Sequence, residues 1–346
     1  MNGRWIVAVF LCIFPISIWA QGFAGLGTTD QRFAQPVRGD DLVFPDDHGP
    51  HNDFRIEWWY VTSNLTGADG TQYGVQWTLF RTAIAVEDAD GWSSPQVWMG
   101  HAAVTTPTAH FVSERLARGG IGQAGATVDP YDVWIDEWQM TGSFDAPQLR
   151  ASSPDFAYTL DMSAKGPIVL HGDAGYSVKS AAGQASYYYS QPSYEVTGVL
   201  TLPEGDVAVT GEAWLDREWS SQPLAEDQTG WDWVSLSFDD GSKLMGFQLR
   251  GTEVYTSATW IDPNGTATAL APDALQMTPV SKVRVAGRVV PVEWAIEVPE
   301  FGIDVTISAL NPQAWMDVSV PYWEGPVAIT GSHAGRGYLE MTGYDP

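Results

Sequence analysis

Apolar and polar residues alternate along most of the chain, in short runs that end at Gly, Pro, Asp or Asn. Segment 234–250 shows the pattern, because Val234 and Leu236 alternate with polar residues ahead of the pair Asp240-Gly241. Strict alternation is typical of a half-buried strand, and an Asp-Gly pair between two such runs is typical of a tight hairpin. The segment therefore predicts a β-hairpin with one apolar face.

The same alternation continues in other parts of the chain. We expect Met245, Phe247 and Leu249 to extend the apolar face of this hairpin on its return strand. Segment 292–298 alternates in the same way, and its apolar residues are predicted to face inward: Val292, Trp294, Ile296 and Val298. No long 3.6-residue period is present, although 111–125 is compatible with a short helix, so the sequence predicts an all-β chain.

A weak internal repeat indicates how the strands are organised. Segments 56–81 and 230–250 each contain a tryptophan-rich strand, an Asp-Gly pair, and then Gly, Gln and Arg in that order. The repeat predicts two similar β-domains in tandem, and two closed antiparallel barrels of about 150 residues each would leave no strand edge exposed. We assign a signal peptide to 1–22, an extended leader to 23–45, an N-terminal barrel to 46–192 and a C-terminal barrel to 193–346.

The first residues have the composition of an export signal. Arg4 precedes an apolar run at 5–18, and Ala20 ends a cleavage site. Such a run is too short and wrongly flanked for a membrane span. Cys12 is the only cysteine and lies within the run, so the mature protein would contain no disulfide. We therefore expect a periplasmic or secreted protein with no transmembrane span after cleavage.

The formal net charge of -25 excludes one large class of partners. Binding to nucleic acid needs clustered Lys and Arg, which this composition does not supply. The sequence also has no glycine-rich phosphate loop, no His-Glu-x-x-His motif and no Gly-x-Ser-x-Gly nucleophile elbow. We therefore predict no nucleic-acid partner and no cofactor.

The first tryptophan-rich strand predicts two different surfaces. Successive side chains of a strand point to opposite faces, so Arg55, Glu57 and Trp59 share one face. Trp58 and Tyr60 share the other. One face is expected to enter the barrel, and the other to lie outside it or between the two domains.

The segment GEAWLDREWSSQ supplies the candidate chemistry. Trp214, Asp216 and Glu218 fall on one face of a regular strand, and Arg217 and Trp219 fall on the other. A buried carboxyl beside tryptophan can have a raised pKa and act as a general acid. An arginine partner would instead lower that pKa and make a structural ion pair. We favour a structural corner that also rims a pocket.

Three groups of residues follow from these segments. The candidate ligand-binding residues are Glu57, Trp58, Trp59, Tyr60, Trp214, Trp219, Trp231 and Trp233. The arginines predicted to form structural ion pairs are Arg55, Arg81, Arg217 and Arg250. The candidate metal ligands are His48, His51 and Asp53, but their spacing matches no strong zinc pattern, so no metal is predicted.

Four motifs, taken in order, carry a resemblance to a known family. They are EWWY, GEAWLDREWSSQ, GWDWVSLSFDDG and YWEGPVAITGSHAGRGYLEMTGY. Over residues 45–345 the chain resembles the lipocalin-like family of AttH and carotenoid 1,2-hydratase (hydroxyneurosporene synthase). The resemblance implies two calycin-type barrels packed together.

The resemblance also implies alternative functions. The AttH branch is associated with an envelope ABC transport system, which implies an exported protein that binds a hydrophobic lipid or isoprenoid-like molecule beside such a transporter. The hydratase branch adds water to a terminal double bond of acyclic carotenoids. In that alternative, Asp216 or Glu218 would protonate the alkene, and Trp214, Trp219 or Trp233 would stabilise the cation. Ester hydrolysis is a third alternative, for which no nucleophile–base pair is apparent.

Overall fold

The computed structural model describes residues 26–344, where the chain forms two antiparallel β-sheets, curled into a barrel and a half-barrel. This confirms the predicted all-β class and the tandem arrangement. The predicted signal peptide, Cys12 and the first residues of the leader lie outside the described residues. Within residues 26–344, no helix has the length and apolar character that a membrane crossing requires.

The first sheet contains the N-terminal strands. They are β1 Ile56–Gly67, β2 Gln72–Ala83, β3 Gln96–Thr105, β4 His110–Arg118, β5 Ala124–Thr127, β6 Tyr131–Ile135, β7 Trp138–Ser143, β8 Ala146–Ser152, β9 Ala157–Ala164, β10 Val169–Leu170, β11 Tyr176–Val178, β12 Ala185–Leu202 and β13 Gly205–Ser220. Their order is β4-β3-β2-β1-β13-β12-β9-β8-β7-β6-β5, and β10 and β11 pair with β12 beside this path.

The second sheet contains the C-terminal strands. They are β14 Gly230–Phe238, β15 Lys243–Arg250, β16 Tyr255–Ile261, β17 Ala267–Ala269, β18 Gln276–Val285, β19 Arg288–Val298, β20 Ile303–Ala309, β21 Trp315–Met316, β22 Tyr322–Gly331 and β23 Gly335–Met341. Their order is β17-β16-β15-β14-β23-β22-β20-β19-β18, with β21 paired to β22. Short 3-10 helices lie at Asp46–His48, Gly91–Ser93 and Pro299–Phe301.

The chain changes sheet later than the boundary predicted after residue 192. Strand β12 runs through that point and pairs with β9 and β13. Pro192 coincides with a shift of register in β12, and a bulge is one of the places where a sheet tolerates a proline. The first sheet therefore extends to Ser220, and the second begins at Gly230.

The segment 111–125, compatible with a helix from its sequence, forms most of β4 and the start of β5. Strand β4 pairs with β3 along its length, from Arg118 opposite Val97 to His110 opposite Thr105. Pairing with β3 supplies a ladder of backbone hydrogen bonds along β4, and this tertiary contact overrides the weak local preference.

The hairpin over 234–250 forms as predicted, with Gly241 at a φ of 89° in its turn. The expected faces of its return strand were wrong. Met245 and Phe247 lie opposite Ser235 and Trp233, not on the face of Val234. The reason is that both faces of this hairpin are buried, so both carry apolar residues.

Each sheet encloses its own apolar core, and a third apolar cluster lies where the sheets meet. All the residues of 292–298 predicted to face inward belong to the core of the second sheet. The third cluster contains Tyr60, Tyr188 and Trp214 from the first sheet and Trp233 and Phe247 from the second. The outward face of β1 and β13 is therefore covered by the second sheet.

Candidate functional site

Strands β1 and β13 lie side by side and position most of the residues that the sequence singled out. Trp58 is opposite Glu218, Trp59 is opposite Arg217, and Tyr60 is opposite Asp216. Because alternate residues face opposite ways, the strands send one set into the first barrel and the other towards the second sheet. The predicted division of faces is confirmed for these residues.

The set inside the first barrel is built around the fully buried carboxylate of Glu57. Its oxygens lie 2.9 Å from Arg81 Nε, 2.7 Å from Arg217 Nη2 and 2.6 Å from His51 Nδ1. The Arg217 guanidinium also lies 3.8 Å from the centre of the Trp59 ring. Burial alone would raise the pKa of Glu57, but the charges of His51, Arg217 and Arg81 lower it well below its ordinary value.

The other two arginines predicted to form structural ion pairs differ in their partners. Arg250 Nε lies 3.1 Å from Asp232 Oδ2 in the second sheet. Arg55 has no carboxylate partner among the described residues, and its guanidinium donates instead to the backbone carbonyls of Leu26 and Ala83. Arg55 therefore joins the leader to β2 through backbone groups.

The three candidate metal ligands form contacts with other residues of the protein. His48 stacks on Phe144 at 3.6 Å between ring centres, its Nδ1 lies 2.7 Å from the Tyr189 hydroxyl, and burial lowers its pKa to about 4. His51 bridges Glu57 and Asp47. Asp53 makes no hydrogen bond to either histidine within residues 26–344, and its backbone carbonyl accepts from Ala34. The three residues therefore do not converge on one point.

A cavity of about 120 Å³ lies between the two sheets, and we call it the inter-sheet cavity. Its aromatic lining consists mainly of Trp58, Tyr60, Phe80, Tyr188, Trp231, Trp233, Phe247 and Tyr322. Its carboxyl groups are those of Asp216, Glu218 and Glu340. Both sheets contribute, so the cavity exists only in the packed double-barrel arrangement.

The predicted ligand-binding residues divide between the cavity and the first barrel. Trp58, Tyr60, Trp231 and Trp233 line the cavity. The others do not: Glu57, Trp59 and Trp219 belong to the barrel interior, and Trp214 lines a second, polar cavity beside Glu212 and Arg336. Strand alternation explains the division between the cavity and the barrel interior, because the sequence of a strand always supplies residues to both of its faces. Trp214 shares the face of Asp216 but lies beyond the cavity.

Asp216 is the cavity carboxyl with the properties of a general acid. It is buried, and its Oδ1 accepts hydrogen bonds from the Ser190 hydroxyl and, at 2.7 Å, from Trp214 Nε1. Burial raises the pKa of Asp216 to about 7, against the opposing effect of its hydrogen bonds to Ser190, Trp214 and Tyr188, and the charge of Glu218 adds to the rise. No Lys or Arg of residues 26–344 forms an ion pair with it.

Glu218 forms an ion pair, which is the structural role that the sequence predicted as the alternative to general-acid catalysis. Lys179 Nζ lies 2.7 Å from Glu218 Oε1, and the Ser186 hydroxyl donates to the same oxygen. The Lys179 ammonium also lies 4.3 Å from the centre of the Phe247 ring. The general-acid interpretation therefore fits Asp216, and the ion-pair interpretation fits Glu218.

Two further acids, Glu324 and Glu340, were missed in the sequence. They face each other across β22 and β23. Glu340 accepts from Trp231 Nε1 at 2.6 Å, and burial raises its pKa to about 7. Glu324 accepts from the Tyr60 hydroxyl, and burial together with the charge of Glu340 raises its pKa well above its ordinary value. An available signal was the position of each acid directly beside large apolar residues within a strand.

The structure brings a serine and a histidine together, but not as a hydrolase triad. Ser190 Oγ lies 2.6 Å from His171 Nε2, and both side chains are fully buried. In a Ser-His-Asp triad the carboxylate contacts the far nitrogen of the imidazole. Here Asp216 contacts the serine, and the far nitrogen contacts Thr259. This geometry does not support ester hydrolysis at Ser190.

The raised pKa values predict how stability depends on pH. Asp216 and Glu340 hold protons in the folded state up to a pKa of about 7, against ordinary values of 3.8 and 4.5. Folding stability therefore falls as pH rises from about 4 to 7, by about 1.4 kcal/mol per pH unit for each group. Glu57 acts in the opposite sense, because its lowered pKa means that its stabilisation is lost as pH falls below the ordinary value of 4.5.

We therefore expect the free energy of unfolding to be largest at about pH 4.5 and to decrease towards about pH 7. Urea unfolding at a series of pH values measures this profile. Asp216→Asn removes one of the titrating groups, so its profile should be flatter between about pH 5 and 7. Identical slopes in the wild type and the variant would show that the pKa of Asp216 is not raised.

Comparison with known proteins agrees with this fold. The model of the AttH-like family matches residues 35–344. The crystal structure of an AttH candidate from Nitrosomonas europaea is 37% identical, with a TM-score of 0.81, and the match covers 90% of this chain and 100% of that chain. A search of curated proteins gives no significant match.

Two other solved structures with the same fold are more distant in sequence. Kievitone hydratase from Nectria haematococca is 16% identical, with a TM-score of 0.70, over 91% of this chain and 98% of that chain. CghA in complex with Sch210972 is 14% identical, with a TM-score of 0.56, over 92% of this chain and 98% of that chain. The fold thus places the protein in the class of tandem lipocalin-like double barrels. Within that class, the chain belongs to the AttH-like family.

Proposed function

We propose that the protein binds a hydrophobic, lipid- or isoprenoid-like molecule in the inter-sheet cavity and adds water to an isolated double bond of that molecule. The observation that carries the proposal is the pair Asp216 and Glu340. Both are buried, both have a raised pKa, and both line one aromatic cavity without an ion-pair partner in residues 26–344. The reaction class named for kievitone hydratase, which shares the fold, supports the proposal by analogy.

The reaction needs one group to give a proton and another to accept one. Asp216 transfers its proton to one alkene carbon, so the π bond breaks, a C–H bond forms and positive charge develops on the other carbon. The ring faces of Trp58, Trp231 and Trp233 stabilise that charge. Water then forms a C–O bond and releases a proton to the Glu340 carboxylate. The product is an alcohol, and exchange with solvent returns both carboxyls to their starting states.

The size of the cavity limits what it holds. Its volume of about 120 Å³ is similar to that of protein cavities of about 150 Å³ that accommodate benzene. The cavity therefore takes one end group of a long molecule, not the whole of it. An acyclic isoprenoid with a terminal trisubstituted double bond has an end group of this size, and such a bond gives a tertiary cation on protonation.

The test is incubation with a panel of acyclic isoprenoid alcohols and hydrocarbons in deuterated and in ¹⁸O-labelled water. Mass spectrometry should find a product that has gained one carbon-bound deuterium in the first and one labelled oxygen in the second. A product without both labels would contradict hydration. Native mass spectrometry of the protein from its own host, followed by organic extraction, identifies a natural ligand to add to the panel.

A ligand that co-purifies and is never converted would instead identify a carrier of hydrophobic molecules. Such a carrier is the function that resemblance to the AttH branch implies beside an envelope ABC transporter. The cavity's mainly apolar walls suit it equally well. Export to the periplasm or outside the cell stays a prediction, which fractionation of the host cells and N-terminal sequencing of the mature protein would test.

A further inference from the structure

Asp216 is joined to the second sheet by a chain of hydrogen bonds. The Ser190 hydroxyl bonds to Asp216 Oδ1, and Ser190 Oγ lies 2.6 Å from His171 Nε2. On the other side of the imidazole, Nδ1 lies 2.9 Å from the hydroxyl of Thr259 in β16. All four side chains are buried. A hydrogen that points the wrong way in this chain therefore leaves a buried polar atom unsatisfied, which is costly.

The donor–acceptor direction of these hydrogen bonds follows from the number of hydrogens that the side chains carry. Burial lowers the pKa of His171 to about 3, helped by the charge of Lys179, so the imidazole is neutral and has one N–H. If Nε2 carries that hydrogen, His171 donates to Ser190 and the Ser190 hydroxyl donates to Asp216. The Thr259 hydroxyl then donates to Nδ1, and every hydrogen in the chain has an acceptor.

The opposite tautomer reverses every bond. His171 would then donate to Thr259, Ser190 would donate to His171, and Asp216 Oδ1 would have to carry a hydrogen for Ser190. The position of Trp214 decides between the two, because its indole N–H also points at Oδ1 from 2.7 Å. The Tyr188 hydroxyl is a further hydrogen-bond partner of this carboxyl, and an oxygen that receives two donors is favoured as an acceptor without a hydrogen of its own. The first direction therefore satisfies more of the buried groups.

We propose that His171 is a positioning residue for Asp216. Its Nε2–H tautomer, held by Thr259 of the second sheet, directs the Ser190 hydroxyl onto Asp216 Oδ1 and thereby confines the acidic proton to Oδ2. For its catalytic consequence this inference rests on the proposed hydration. The position of the proton is a property of the resting protein and is measurable without a substrate.

Infrared difference spectroscopy of the full chain at mildly acidic pH tests that position. Subtraction of the Asp216→Asn spectrum isolates the C=O stretch of the protonated carboxyl, and hydrogen bonds to the carbonyl oxygen lower its frequency. His171→Phe removes the donor to Ser190, so we expect the band to move to higher frequency and to broaden. His171→Gln keeps an N–H for Ser190 and should restore the wild-type band. An unchanged band in His171→Phe overturns the inference.

Two further variants make this test independent of folding defects. Thr259→Val removes the donor to Nδ1 with little change in volume, so it should shift the band in the same direction, and an unshifted band counts against the proposal. His110 is the matched control, since it bonds to Thr105 and takes no part in the chain. His110→Phe should leave the band where it is, and a shift as large as that of His171→Phe would show a non-specific effect.

Turnover supplies the second readout. His171 does not line the inter-sheet cavity, so His171→Phe should lower kcat on the order of tenfold with KM unchanged, and His171→Gln should recover most of the loss. If the wild type converts no substrate but the band shifts as expected, the hydration proposal fails and the positioning role stands. Turnover with an unshifted band and an unchanged kcat in His171→Phe overturns the positioning role alone.

Discussion

Replacement of Glu57 by Gln is expected to lower the free energy of unfolding by about 3–5 kcal/mol, a large part of the stability of an ordinary domain. The fully buried carboxylate of Glu57 lies 2.9 Å from Arg81 Nε and 2.7 Å from Arg217 Nη2. Glutamine has the same shape but no charge, so two guanidinium groups would remain in the barrel interior without a carboxylate. Urea unfolding followed by tryptophan fluorescence measures the loss.

A solvent-exposed ion pair of the same sheet provides the control for Glu57. Lys165 Nζ lies 3.0 Å from Glu195 Oε2, and the two side chains are 53% and 68% exposed. Because exposed pairs contribute little, Glu195→Gln should change stability by less than about 1 kcal/mol. A Glu57→Gln protein as stable as the Glu195→Gln protein would contradict a structural role for the Glu57 cluster. A variant too unstable to purify is the limiting form of the expected result.

Alternation in the sequence predicted which residues of β1 and β13 share a face, because the period of two is a local property of a strand. It did not predict what covers each face. Trp59 and Trp58 are equally apolar and adjacent, yet one enters the barrel and the other lines the inter-sheet cavity. The same limit explains the error at Met245, since a hairpin buried on both sides carries no polar face to mark solvent.

Pairing between residues that are far apart in the sequence explains the remaining differences between the predictions and the structure. The predicted boundary after residue 192 falls within β12, which continues because β9 and β13 flank it on both sides. At the site, Asp216 and Glu218 are equivalent in sequence terms. Lys179, which follows β11, pairs with Glu218, and Asp216 has no ion-pair partner among residues 26–344. No local pattern contains that information.

The acids missed in the sequence illustrate the same principle. Glu324 and Glu340 become neighbours only through the register of β22 with β23, and Glu340 reaches the cavity only because the second sheet packs against the first. An acid within an apolar strand is a usable signal, since charged residues are rarely buried without a partner or a purpose. Such a signal identifies a candidate functional residue, and the packing of the two sheets then determines its role.

Replacement of Asp216 by Asn is expected to lower kcat for hydration by a factor of about 10² to 10⁴, the usual contribution of a general acid. In the Asp216→Asn variant the side-chain amide oxygen can still accept from Ser190 and Trp214, so the cavity should keep its shape. Binding of the substrate, measured by tryptophan quenching, should therefore change little. In the wild type, kcat should fall as pH rises above the Asp216 pKa of about 7, because only the protonated carboxyl donates, and as pH falls below the Glu340 pKa of about 7, because only the carboxylate accepts.

Asp232→Asn is the control for Asp216→Asn. It distinguishes the loss of the proton donor from the loss of any buried carboxyl. Asp232 is as buried as Asp216, but it pairs with Arg250 at 3.1 Å and accepts from Gln248 at 2.7 Å. Its replacement should lower stability and leave kcat of the folded fraction within a few-fold of wild type. If the two variants lose kcat equally, or if D216N loses affinity in proportion to kcat, Asp216 is part of the scaffold and not the acid. Loss of turnover confined to D216N requires a carboxyl that acts on the substrate itself, which a scaffold role cannot supply.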